Sequence, residues 1–105
     1  MINHTMLVKF TGEIPDAELE QFLADLEKTT KATGALQSFA AQRHIRVPGE
    51  ESIPAFIGTV VVQLVIADVD AFGTLLGDPA VGEVFDTWRG RHPFDVAWVN
   101  HEALA

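Results

Sequence analysis

The apolar run from Phe56 to Ala67 constrains the fold of this chain more than any other stretch. Val and Ile dominate it, which predicts a β-strand. Successive side chains of a strand point to opposite faces, so Val60 and Leu64 share one face while Val61 and Val65 share the other. An antiparallel sheet with one face in water would alternate apolar and polar residues, and this run barely does. Both faces of the strand therefore need cover.

Length, charge and cysteine usage narrow the class of protein. The 105 residues predict one domain, spanning 1–105, with a single core. The net charge of −8 argues against nucleic acid and against an anionic membrane surface as partners. The absence of cysteine excludes disulfides, thiol nucleophiles and thiolate metal sites. No signal peptide is evident, and the central run is too short to span a bilayer as a helix, so a cytoplasmic protein is expected.

Three elements are predicted before the central strand. A first strand covers Ile2–Thr11, and a helix runs from Pro15 to about Thr33. The apolar residues of that helix recur at helical spacing and are Leu19, Phe22, Leu23 and Leu26. A second strand covers Leu36–Val47, and its polar far end is typical of a sheet edge.

The rest of the chain predicts a loop, two short helices and a last strand. The loop covers Pro48–Pro54. Either Asp68 or Asp70 can cap the first short helix. The second runs from Pro79 to Gly90, and the fourth strand covers Phe94–Asn100.

The element order β-α-β-β-α-β predicts an α+β, ferredoxin-like plait with a four-stranded antiparallel sheet and both helical segments on one face. The other face is best covered by a second copy of the chain. Burying roughly 600 Å² of apolar sheet per subunit contributes about 15 kcal/mol before association costs. The alternative is a loop folded back over the sheet, for which only residues 48–54 are available.

The chain resembles the stress-responsive dimeric α/β-barrel (Dabb) family. The resemblance covers nearly the whole chain and is carried by the segment His4–Phe10, the amphipathic helix after Ile14, Gly34 with Ser38-Phe39, and Asp78-Pro79-Ala80. It implies a homodimer in which two sheets close into a barrel. It also implies a pocket between sheet and helices, since some members are polyketide cyclases. Related dimeric barrels include cofactor-free monooxygenases and muconolactone isomerases.

The resemblance and the residue pattern together nominate a site. His4 is the candidate acid or base, although a lone histidine on an apolar face is often structural. Arg89 and His92 are candidates for stabilising negative charge at the pocket mouth, although cations also suit a helix end. The predicted substrate-binding residues are Met6, Val8, Phe22, Leu23, Leu26, Phe72, Phe85 and Trp88. No metal site or cofactor is predicted, because the four histidines share no ligand spacing and no phosphate-binding loop is present.

The sequence also departs from the cyclases that it resembles. They carry a histidine on each side of a Pro-Ala pair, where this chain has Asp78 and Val81, and they use a tyrosine, which this chain lacks. Two hypotheses stay open. One is a cofactor-independent cyclase, isomerase, lyase or monooxygenase acting on a small hydrophobic, aromatic or polyketide-like carbonyl compound. The other is a non-catalytic, stress-associated or ligand-carrier dimer.

Overall fold

A computed structural model describes all 105 residues and shows the predicted ferredoxin-like α+β fold. The elements in chain order are β1 (Ile2–Phe10), α1 (Asp16–Ala32), β2 (Leu36–Arg43), β3 (Val60–Ile66), α2 (Val69–Gly77), α3 (Pro79–Arg91) and β4 (Phe94–His101), with a single 3₁₀ turn at Glu50–Ser52. The strands form one antiparallel sheet in the order β2-β3-β1-β4. The central position of β3 agrees with its apolar sequence.

Two predicted strand ends are wrong. The second strand stops at Arg43 instead of Val47, and the third begins at Val60 instead of Phe56. The pairing of β3 ends at the same level on both sides, because Val8 of β1 and Arg43 of β2 both lie opposite Val60. Beyond that pair the ladder gives way to a side-chain contact, in which the Phe10 backbone N–H donates to the Thr59 hydroxyl at 3.0 Å, and the chain leaves the sheet. The other predicted ends agree within one residue.

Aspartate side chains fix the starts of both short helices. Asp68 accepts a hydrogen bond from the Ala71 backbone N–H at 2.8 Å, so it is Asp68 that caps α2. Asp78 accepts one from the Ala80 backbone N–H at 2.9 Å and caps α3. None of the helices combines the length and the apolarity needed to cross a lipid bilayer.

The core lies between the helices and one face of the sheet. The side chains of Val8, Val62 and Ile66 on the central strands are fully buried there, as are Phe22 and Leu26 on α1. The opposite face carries no helix and is called the open face below. Its apolar residues are Leu7, Ala40, Val61, Val65, Ala97 and Val99, and none of them is fully buried.

Candidate functional site

A small cavity lies on the helix side of the sheet, between strands β1 and β4 and helices α2 and α3. Its volume is about 260 Å³. The pairing of β1 with β4 positions two of the side chains that line the cavity, because Met6 and Trp98 lie opposite each other in the register. The helices leave this end of β4 uncovered, and Trp98 is 61% exposed. The lining residues are His4, Met6, Phe72, Leu76, Phe85, Arg89, Val96 and Trp98.

The orientation of His4 is set by a neighbour on β4. His4 and Asn100 are register partners, and the His4 Nδ1 atom lies 2.6 Å from the Asn100 Oδ1 atom. An amide oxygen can only accept a hydrogen bond, so the Nδ1–H of His4 donates to it. In the neutral ring the lone pair then resides on Nε2. The contact with Asn100 therefore selects one tautomer of His4.

The Nε2 atom of His4 is free to react. It has no hydrogen-bond partner in the protein. It is also not fully buried, because the structure contains no fully buried side-chain nitrogen or oxygen without a partner, and His4 is one of the residues that line the cavity. The imidazole packs against the edge of the Phe72 ring and against the tilted Trp98 ring, each at 5.2 Å between centroids. This arrangement places an imidazole with one unbonded ring nitrogen at a largely apolar cavity.

Arg89 brings the only permanent charge to the lining. It lies in the last turn of α3, and its guanidinium carbon sits 4.5 Å from the centre of the Phe94 ring. The nearest carboxylate, on Asp86, is 3.9 Å away, and 48% of the Arg89 side chain is exposed. The guanidinium thus packs against the Phe94 ring. Its N–H groups make no hydrogen bond to the chain and stay available for a ligand.

The structure brings together five of the predicted site residues around the cavity, namely His4, Met6, Phe72, Phe85 and Arg89. Three others belong to the hydrophobic core and have no exposed surface, namely Val8, Phe22 and Leu26. Their helical and strand spacing is the same as that of lining residues, so spacing alone did not separate the two groups.

Three further predicted residues lie elsewhere. The Trp88 indole is 1% exposed, and its N–H donates to Asp25 on α1 at 3.0 Å. His92 lies 3.4 Å from Glu18 and stacks on Trp88. Leu23 lines a separate groove between α1 and β2. None of the three lines the cavity at His4.

Four residues at the cavity are not among the site residues predicted from the sequence: Asn100 and the lining residues Leu76, Val96 and Trp98. Alternation along the last strand does put Val96, Trp98 and Asn100 on the same face as Phe94. That pattern was a usable signal for an inward face. It could not show that the helices leave the end of this face open.

No group of three or more His, Asp or Glu side chains is placed to hold a metal ion. Asp78, which stands where the polyketide cyclases that the chain resembles carry a histidine, caps α3. The chemistry that this site offers is therefore that of an imidazole, a guanidinium and aromatic rings.

No protein-family model matches the sequence, and no curated protein matches it either. Solved structures do match, over nearly the whole chain. A Dabb-family protein with a ferredoxin-like fold from Mesorhizobium loti has 20% sequence identity and a TM-score of 0.72, over 99% of this chain and 97% of that one. A hydroxynitrile lyase from Passiflora edulis has 10% identity and a TM-score of 0.76, over 99% and 94%.

Two further structures extend this likeness. SnoaB, a cofactor-independent oxygenase from Streptomyces nogalater, has 15% identity and a TM-score of 0.73, over 99% of this chain and 93% of that one. A dimeric ferredoxin-like protein from Thermobifida fusca has 16% identity and a TM-score of 0.74, over 97% and 90%. Identities this low establish a shared fold only. The predicted resemblance is confirmed at that level: this chain has the ferredoxin-like α+β fold of a Dabb-family protein.

Proposed function

We propose that this protein is a homodimeric, cofactor-independent enzyme that carries out acid–base chemistry on a small aromatic or polyketide-like carbonyl compound. The observation that carries the proposal is His4, held by Asn100 in one tautomer with its Nε2 atom open to an apolar cavity. A core histidine with only a structural role would be expected to form hydrogen bonds through both ring nitrogens or to bury the unbonded nitrogen completely. In His4 the Nδ1 atom is bonded to Asn100, whereas the Nε2 atom has no partner in the chain and is not fully buried.

The reaction follows from this geometry. Nε2 removes a proton from a carbon next to the substrate carbonyl or from a hydroxyl group, and later returns it. The imidazolium formed on the way keeps its Nδ1–H bond to the Asn100 oxygen, which faces the new positive charge. Arg89 at the mouth stabilises the negative charge that develops on the substrate oxygen. The apolar walls limit water, which strengthens both interactions.

The matching structures support an enzyme without assigning its reaction. The lyase and the cofactor-independent oxygenase show that this fold holds catalytic sites in other proteins. An isomerase reaction can proceed by removal and return of a proton, and a lyase reaction couples removal of a proton to the breaking of a bond to carbon. Neither changes the oxidation level with an outside oxidant, and the His4 site can supply the proton transfer in both. A monooxygenase of the same fold class is the alternative chemistry, and it would show itself by oxygen consumption.

The homodimer is proposed from the open face and from the dimeric neighbour. Val61 and Val65 lie on the open face on the central strand β3, where both are only partly buried and no helix covers them. The protein from Thermobifida fusca with the same fold is dimeric. Pairing through the open face would leave the His4 cavity accessible, because that cavity lies on the helix side.

A ligand carrier is the second candidate. It is favoured by the lining itself, in which six of eight residues are hydrophobic and the polar groups are those of His4, Arg89 and the indole N–H of Trp98. Such a protein would bind the same compounds and release them unchanged. A stress-associated role and a cytoplasmic location stay predictions from the sequence.

The experiment is a turnover screen of the wild-type protein with aromatic β-dicarbonyl compounds, followed by His4→Ala and His4→Gln. An imidazole acid–base group typically contributes 10²–10⁴-fold, so we expect turnover to fall by about that factor in both variants. His44→Ala is the matched control, because that imidazole pairs with Glu50 on an exposed loop.

The outcomes separate the candidates. Turnover that survives His4 replacement would remove His4 from the mechanism and contradict the proposal. Binding without turnover across the screen would support the carrier. Uptake of dioxygen during turnover would support the monooxygenase.

A further inference from the structure

We infer that the ligand of the His4 cavity is a small planar aromatic acid whose carboxylate pairs with Arg89. This inference rests on the proposed use of the cavity, and it goes further by naming a charged class of ligand and the residue that selects it. The chain contains four arginines, and Arg89 is the one that lines the cavity.

Arg89 differs from the other arginines in its hydrogen bonding. Three of the four donate hydrogen bonds to carboxylates of the chain, and these are Arg43, Arg46 and Arg91. Arg89 donates none, since its contact with Asp86 at 3.9 Å is beyond hydrogen-bond distance and both side chains are largely exposed. The arginine with free donors is therefore the one that lines the cavity.

The position of Arg89 makes those donors usable. The guanidinium carbon of Arg89 lies 4.5 Å from the centre of the Phe94 ring, and this cation–π contact restricts the side chain before any ligand arrives. A planar guanidinium presents parallel N–H groups that match a carboxylate in a bidentate pair. A lysine at this position would offer only a mobile point charge.

The distribution of charge over the chain favours an anion beside Arg89 and at few other positions. The chain carries 15 Asp and Glu residues against 7 Lys and Arg residues, so most of its surface repels a carboxylate. No Asp or Glu lines the cavity. An anion that enters next to Arg89 therefore meets a positive charge whose nearest carboxylate, on Asp86, lies 3.9 Å away outside the cavity lining.

The walls of the cavity select a flat and small molecule. Phe72, Phe85 and Trp98 contribute aromatic surface, and stacking on such rings favours a planar ligand. The volume of about 260 Å³ is below the range of roughly 300–1,000 Å³ that is typical for drug-sized ligands. One or two fused rings are the expected size.

The test is a binding titration with 2-naphthoate and with its neutral amide, 2-naphthamide. Calorimetry and tryptophan fluorescence measure the two affinities. We expect wild-type protein to bind the acid at least tenfold more tightly than the amide. In Arg89→Gln we expect this preference to disappear, while affinity for the amide stays within about twofold. Arg89→Lys should keep part of the preference, because it retains the charge and loses the bidentate geometry.

The matched control is Arg46→Gln, which removes an arginine that is bound to Glu51 on an exposed loop. It should leave the affinity for both compounds unchanged. Circular dichroism of each variant checks that the fold is retained, and Arg89→Lys serves as the informative variant if Arg89→Gln does not fold.

Three results would overturn the inference: equal affinity of wild type for acid and amide, an unchanged preference in Arg89→Gln, or loss of preference in Arg46→Gln. These results are independent of the proposed function, because binding requires no turnover. Naphthoate binding that persists in His4→Gln would support the assignment of the carboxylate to Arg89. Loss of turnover in that same variant would test the chemistry separately.

Discussion

At the scale of single residues, the site depends on a pair that is distant in sequence. His4 lies near the start of the chain and Asn100 near its end, and only the β1–β4 register puts them opposite each other. The 2.6 Å contact between their side chains decides which imidazole nitrogen holds the lone pair. Asn100 thus acts as a positioning residue for His4.

Replacing Asn100 with Leu should remove the preference of His4 for a single tautomer. A hydrogen bond of this kind contributes about 0.5–1.5 kcal/mol, so we expect turnover to fall roughly two- to twelvefold. The ¹⁵N chemical shifts of the His4 ring, measured by NMR without ligand, should change from one tautomer to a mixture. Asn100→Asp keeps an acceptor and should preserve the tautomer. A single unchanged tautomer in Asn100→Leu would contradict the role given to Asn100.

A second residue-scale prediction concerns Glu50 on the loop between β2 and β3. The Val47 backbone N–H donates to its carboxylate at 2.6 Å, and this bond, helped by His44 and by the charge of Arg46, lowers the pKa of Glu50 below its ordinary value of 4.5. A lowered carboxylate pKa stabilises the folded protein above the unfolded pKa, and this contribution is lost as the pH falls through the folded pKa.

Glu50→Gln should therefore lower the stability of the loop near neutral pH and have no further effect in more acidic solution. Amide hydrogen exchange of residues 44–53 in wild type and variant, at pH 6 and at the lowest pH that keeps the fold, measures this difference. Glu51→Gln is the control, since its carboxylate is exposed and makes only the 3.3 Å contact with Arg46. A difference that grows as the pH falls would refute this account.

At the scale of elements, the two short helices after β3 shape the cavity. Phe72 and Leu76 come from α2, whereas Phe85 and Arg89 come from α3. The break between the helices, at Asp78 and Pro79, sets the angle at which these side chains face β4. The cap at Asp78 is consequently as relevant to the site as the lining residues.

Asp78→Ala should remove the cap of α3 and lower the free energy of unfolding by about 0.5–2 kcal/mol. Asp78→Asn retains a capping oxygen and should change the stability much less. Urea denaturation followed by circular dichroism compares the two variants. Equal destabilisation by both would show that the negative charge of Asp78, and not its capping hydrogen bond, supports the helix.

At the scale of the whole molecule, the sheet has one face that the chain covers and one that it does not. The covered face holds the core and the cavity. The open face has half-buried apolar residues at its centre and polar residues such as Gln63 and Thr5, joined by a 3.2 Å hydrogen bond. The proposed function assigns the ligand cavity to the covered side and the association between subunits to the open face.

Val61→Lys on the open face should turn the proposed dimer into a monomer, because it would bury a charge at the centre of the interface. Sedimentation velocity at micromolar concentration measures this change. Val69→Lys is the matched control: Val69 is 75% exposed on α2, on the helix side of the sheet. A folded wild-type monomer, or a dimer that tolerates Val61→Lys, would contradict association through this face.

The amino-acid sequence was sufficient to predict the element order and the side of the sheet that the helices cover, because strand and helix periodicity and capping residues are local properties. The candidate roles of His4 and Arg89 rested also on the family resemblance, and they stay predictions. Tertiary structure alone decided that Asn100 meets His4, that Trp98 stays uncovered, and that Trp88 faces α1. These facts depend on strand register and on how far the helices extend over the sheet, and residues distant along the chain fix both.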